Sequence, residues 1–155
     1  MCTGIALPVS ELPTEFVERA EMKPRLYVRG EVSEARFFWW QSPPVLPVQW
    51  YGRLQPLPWG SKDRRGVLPY GGWITQDQLH DGLLAHLHPE PAIIPAKFGH
   101  EAGMWFGITT GIQGIVIRGP IRGYVVYMLT TDATNYYKNM TEQNARMPVL
   151  ISQVI

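Results

Sequence analysis

The chain has 155 residues, 45% of them apolar, which is enough for one domain (1–155) with its own core and too many for a disordered segment. Fourteen Lys and Arg against thirteen Asp and Glu leave a formal charge of +1, so any nucleic-acid site must be a local patch. A single cysteine excludes an internal disulfide framework and a multi-thiolate zinc centre, and no apolar run approaches the ~18 residues of a membrane-spanning helix.

The opening "MCTGIALPVS" lacks a basic n-region, and Pro8 and Ser10 interrupt its apolar run, so no secretory signal is expected and a reducing, cytoplasmic location is. Apolar stretches at 3–7, 25–29, 35–40, 91–94, 104–108, 114–118 and 124–130 predict strands. The last of these, within "GYVVYMLTT", carries the strongest aromatic and β-branched signal. Helices are predicted at "SELPTEFVERA", with Ser10 or Thr14 as cap, and at "TQDQLHDGLLAHLH", where Thr75 and Gln78 have capping-box spacing. A third, short helix is predicted within "DATNYYKNM". The Pro- and Trp-bearing stretch 41–66 reads as packed loop. The chain is therefore expected to be a strand-dominated α+β domain with a few short helices.

The chain holds no GxSxG, no GxxxxGK[ST] and no GxGxxG behind a strand. His86, His88 and Glu90 in "HLHPE" sit at an expected helix end, where cationic histidine is favourable through the helix dipole, and no metal or cofactor is expected. "SKDRRG" reads as a solvated basic turn. Six tryptophans and seven tyrosines exceed what a core of this size needs, so one or two rings are expected to stack on a ligand.

Cys2 is the exceptional residue, since a lone cysteine falls at position two in one placement of 155. Methionine is commonly trimmed before a small second residue, and Cys2 would then carry an amine of pKa about 8 beside a thiol of about 8.5. Against an amide or ester, the thiol attacks with the amine as base. Against an aldehyde, the amine forms an imine and the neighbouring thiol closes a thiazolidine, an intramolecular step favoured by proximity.

"MCTGI" resembles the start of N-terminal-nucleophile hydrolases such as the choloylglycine hydrolases. A second resemblance extends along the chain. "NARMPVLI" at 144–151 is similar to the C-terminal His-Asp-Arg-Met-Pro-Val motif of the SOS response-associated peptidase (SRAP) family, the abasic-site processing proteins. "IIPAKFGHEAG" at 93–103 resembles that family's Pro-Ala-x-Gly-Phe-Tyr-Glu-Trp block, "YVVYMLTTDATN" its strand followed by Thr-Thr-x-Ala, and Trp59-Gly60 its Trp-Gly element. The resemblance implies a bifurcated, barrel-like β-sheet with flanking helices. Cys2 would bond covalently to the ring-opened abasic sugar in single-stranded DNA, and Glu101 would be the acid assisting ring opening.

By the same resemblance Arg146 would hold phosphate. Trp59 would stack on a base, and Arg53, Arg64 and Arg65 would add phosphate contacts. The protein is expected to act as a monomer, associated with the nucleoid when bound to DNA and not with membranes. Asn144 stands in the catalytic set where the family has His; it can hydrogen-bond a sugar hydroxyl but does not shuttle a proton at neutral pH. The family's Asn-Ala-Arg element is missing near 66–75. Two other readings stay open: an N-terminal-nucleophile amidohydrolase, and a degenerate SRAP-like protein that binds DNA without a covalent bond.

Overall fold

The computed structural model describes residues 1–120 and 123–155, the side chain of Ala20 excepted. From the N-terminus run β1 (Gly4–Pro8), α1 (Thr14–Val17), β2 (Leu26–Arg29), β3 (Val32–Phe38), β4 (Val45–Trp50) and β5 (Arg53–Pro58). Then come β6 (Trp73–Thr75), α2 (Gln76–His80), β7 (Glu90–Pro95), β8 (Phe98–Glu101), β9 (Met104–Gly107) and β10 (Gly111–Arg118). The chain ends in β11 (Tyr124–Asp132), α3 (Asn135–Met140) and β12 (Arg146–Pro148). The molecule is α+β and strand-rich, as its sequence predicts, and all seven expected strands form within a few residues of their expected ends.

The strands make two sheets. One is antiparallel in the order β2-β3-β1-β8-β9; the other runs β12-β11-β10-β7-β4-β5, with β6 added parallel to β11. Each order has two free ends, so neither sheet closes into a barrel. The bifurcation is real, however. β10 and β11 pair from Arg118↔Tyr124 to Gly114↔Met128 and then part. The segment after Arg146 fills the fork: Val149 N–H donates to the Leu129 carbonyl (2.9 Å), while Gln113 N–H donates to the Val149 carbonyl (2.9 Å).

β11 is buried from Val125 to Thr130 on both faces, which explains its unbroken apolar run. One apolar core joins the sheets, with Ile5, Leu7 and Phe37 of the first packed among Leu46, Ile94, Ile112 and Met128 of the second. Each such side chain contributes about 1.5–3 kcal/mol of transfer free energy.

The stretch 41–66 is not a loop over its whole length, because β4 and β5 occupy much of it. Its prolines are compatible with a ladder because Pro47 and Pro56 stand opposite each other, so the missing N–H groups fall at a shared cross-strand position on the hairpin. The two long helices predicted from the sequence are shorter. Pro13 immediately precedes α1, which lasts four residues. α2 keeps its reciprocal Thr75–Gln78 capping box but stops at His80, ahead of Gly82 at φ +75°.

Candidate functional site at the amino terminus

β1 is the central strand of its sheet, and its register with β8 sets Gly4 opposite His100. The Thr3 N–H extends the ladder to the His100 carbonyl at 2.8 Å. One residue further along β8 lies Glu101, so the pairing carries the chain terminus to this carboxylate. β8 and β9 are joined by Ala102 and Gly103, both at positive φ (50° and 76°), the two-residue hairpin geometry that matches strand twist.

The Met1 amine donates to Glu101 Oε1 at 2.9 Å and to Asn144 Oδ1 at 2.8 Å. Asn144 Nδ2 donates to the same Oε1 in a short hydrogen bond. Two donors therefore converge on one carboxylate oxygen, while Oε2 is buried without a partner. The Tyr137 hydroxyl, on α3, is also buried without a hydrogen bond of good geometry. Burial raises the pKa of Glu101 above its ordinary value, against the opposing pull of the Met1 ammonium and of Tyr137. Burial likewise pushes the Tyr137 phenol up, assisted by the charges of Cys2 and Glu101. Asn144 reaches this cluster because Glu142 and Gln143 adopt left-handed backbone (φ 56° and 66°), which reverses the chain after α3.

Cys2 has no accessible surface. Its thiol donates to the Gly4 carbonyl (3.1 Å), and its own carbonyl accepts from Trp73 Nε1 (3.0 Å). Burial pushes the thiol up to about 12, so with Met1 in place Cys2 is a protonated, enclosed group.

Met1 lines a cavity of about 330 Å³ together with Trp39, Tyr70, Trp73, Thr130 and Arg146. Beneath it Trp39, Trp59 and Trp73 meet edge-on, with ring centroids 5.2–5.5 Å apart. Gly72 permits this packing, since a Cβ there would lie 2.5 Å from Trp59 Nε1. Cations stand over two of the lining rings: Lys62 Nζ lies 4.7 Å from the Trp39 ring centre, and the Arg64 guanidinium 4.1 Å from that of Tyr70. Arg146 is tied to Asp132 (2.7 Å) and Thr130 (3.1 Å), and its Nε is buried without a partner.

The structure thus brings Cys2, Glu101, Asn144 and Arg146 to one place. Trp59 belongs to the floor rather than the surface. It is 1% exposed and its indole N–H is bonded to the Gly72 carbonyl, so it offers no open face to a base. Arg53 is elsewhere. It pairs with Trp50, whose ring packs on Tyr124 at the start of β11, whereas Arg146 pairs with Asp132 at its end. Eight strand steps, roughly 27 Å, separate those ends.

Trp39, Tyr70 and Trp73, which line the cavity, carry no individual sequence signal beyond the surplus of aromatic residues. Lys62 lies in a stretch whose composition predicts only a solvated turn. Tyr137 had no signal beyond its place in a short helix. Among the described residues no group of three or more His, Cys, Asp or Glu side chains converges on a metal position, and no helix is long and apolar enough to cross a membrane.

By fold and site the molecule is a two-sheet α+β protein with a cysteine-bearing terminus held at an aromatic, cation-rimmed cavity. Compared with protein-family models, curated proteins and solved structures, the chain matches none.

Proposed function

We propose that the protein is a divergent SRAP-like protein that captures abasic sites in single-stranded DNA through Cys2 once Met1 has been removed. The observation that carries this reading is the convergence of the terminal amine, Glu101 and Asn144 beside a cavity lined by Trp39, Tyr70, Trp73 and Arg146, with Lys62 and Arg64 against two of those rings. An aldehyde-bearing sugar fits among the polar groups, and flanking bases and phosphates fit the rings and cations.

Loss of Met1 would uncover the Cys2 amine one residue from the present position of the Met1 amine. That amine attacks C1′ of the open sugar, and loss of one water gives the imine. The thiol then adds to the imine carbon, its proton passing to nitrogen, and the thiazolidine ring closes with no other leaving group. Glu101 is suited to move these protons, because its raised pKa makes a carboxylic acid accessible nearer neutrality than usual. Asn144 hydrogen-bonds and orients without proton transfer.

The non-covalent alternative has its own support in the enclosed thiol with its pKa of about 12. A denaturing gel separates the two readings. Protein with Met1 removed is mixed with single-stranded DNA carrying one abasic site, beside Cys2→Ala. A shifted band that depends on Cys2 supports capture. Salt-sensitive binding under native conditions, equal in both proteins and with no shifted band, supports the degenerate binder.

A further inference from the structure

The opposite end of β11 holds a second cavity, of about 330 Å³, that the capture reading does not use. Trp50 and Tyr124 form its aromatic wall, Val116 lies in its lining, and Arg118, His86 and His88 bring basic side chains to it. We propose that this cavity binds a nucleotide, stacking the base on the Trp50–Tyr124 wall and holding the phosphate with Arg118 and the two histidines.

The wall is preformed. The two ring centres are 4.6 Å apart at 60°, and Tyr124 is 42% exposed, so part of its ring is open to a planar group. The volume is at the lower end of small-ligand sites, about 300–1,000 Å³.

Charge decides the ligand class. Glu90 is the one carboxylate of the cavity lining among the described residues, and both its oxygens are engaged: Trp50 Nε1 donates to Oε2 (3.1 Å) and Tyr51 Oη to Oε1 (3.2 Å). Its role is to set the indole in place. Arg118, directly across the ladder from Tyr124, has no carboxylate partner among the described residues. Three basic side chains against one carboxylate, beside the partly exposed Tyr124 ring, fit a planar anion; a sugar would need several carboxylate or amide partners, and among the described residues no three metal-ligating side chains converge on a metal position. His88 holds a left-handed backbone (φ 49°), a conformation non-glycine residues adopt at a cost. The "HLHPE" motif and Trp50, which have no part in the Cys2 site, have a shared place here.

The nucleotide could be free or part of a strand, and the two sources are separable. The protein used carries Cys2→Ala, so failure of covalent capture leaves this test readable. Adenosine monophosphate and a short oligodeoxyadenylate without an abasic site are titrated by calorimetry, with Arg118→Gln and Tyr124→Ala as variants and Tyr124→Phe retaining the ring. Unchanged urea midpoints establish that the variants are folded.

Binding about tenfold weaker or more in Arg118→Gln and Tyr124→Ala, and retained in Tyr124→Phe, is expected. If the monophosphate shows this pattern, the ligand is a free nucleotide. If only the oligomer does, the cavity is a second contact on a strand. Absence of binding by either probe, or binding unchanged in both Arg118→Gln and Tyr124→Ala, overturns the proposal.

Discussion

The two ends of β11 are built from different materials. At the Asp132 end, polar groups are enclosed: the Glu101 carboxylate, the Cys2 thiol and the Tyr137 hydroxyl lie inside, and two of their oxygens lack partners. At the Tyr124 end, Tyr124 and the basic side chains are exposed, Trp50 is half-buried, and the cavity's carboxylate is hydrogen-bonded by its neighbours. Buried polar atoms without partners are costly, and a fold retains them where chemistry needs groups with displaced pKa values. Exposed rings beside cations cost little and serve recognition. One end thus encloses polar groups with displaced pKa values, and the other exposes aromatic and basic side chains.

The largest expected effect tests the reactive end. Cys2→Ala should abolish any heat-stable adduct with abasic DNA while leaving native-gel binding to undamaged single-stranded DNA intact. The next concerns the enclosure of the thiol. With a pKa of about 12, the thiolate fraction at pH 8 is about 10³-fold below that of an ordinary cysteine. Iodoacetamide should therefore label the folded Met1-bearing protein about 10³-fold more slowly than the same protein unfolded in urea, and comparison with Met1-free protein reads how much of that protection the methionine supplies. Equal rates in the folded Met1-bearing and Met1-free proteins, followed by mass spectrometry, would mean that the terminal methionine does not govern the reactivity of Cys2.

A third expectation contrasts two tryptophans. Trp59→Ala should cost about 3–5 kcal/mol in urea unfolding, because the ring fills the floor of the site, whereas the 65%-exposed Trp40, which only stacks on Phe38, should cost about 1 kcal/mol when changed to alanine.

The smallest effect is one of pH. A carboxyl whose folded pKa lies above its unfolded value contributes stability at low pH that is lost as pH rises through the folded pKa. For Glu101, raised by burial, wild type should lose stability relative to Glu101→Gln as pH rises above about 4.5. Denaturant melts across the acid range read this difference, and a difference growing the other way would mean that the Met1 ammonium outweighs burial.

The strands were legible because β-branched and aromatic runs such as "YVVYMLTT" are buried on both faces of their sheets. β4 and β5 were not, because proline signals a loop locally and only the pairing of Pro47 with Pro56 accommodates it. Helix length was overestimated where Pro13 and Gly82 act as boundaries. At the site, Cys2, Glu101 and Asn144 could be proposed as a set through the resemblance, but their meeting depends on the β1–β8 register and on the left-handed turn at Glu142–Gln143. Trp59 and Arg53 were misplaced for a related reason. Residue type marks a ring as able to stack and an arginine as able to bind phosphate, but burial and strand position decide whether it can.

The central claim is that Cys2 reacts through both its amine and its thiol. Intact mass spectrometry of Met1-free protein incubated with an abasic single strand tests it most directly. The account predicts a heat-resistant species whose mass is the sum of protein and oligonucleotide less one water, absent from Cys2→Ala. No adduct with the terminus freed, or the same adduct in Cys2→Ala, would contradict it.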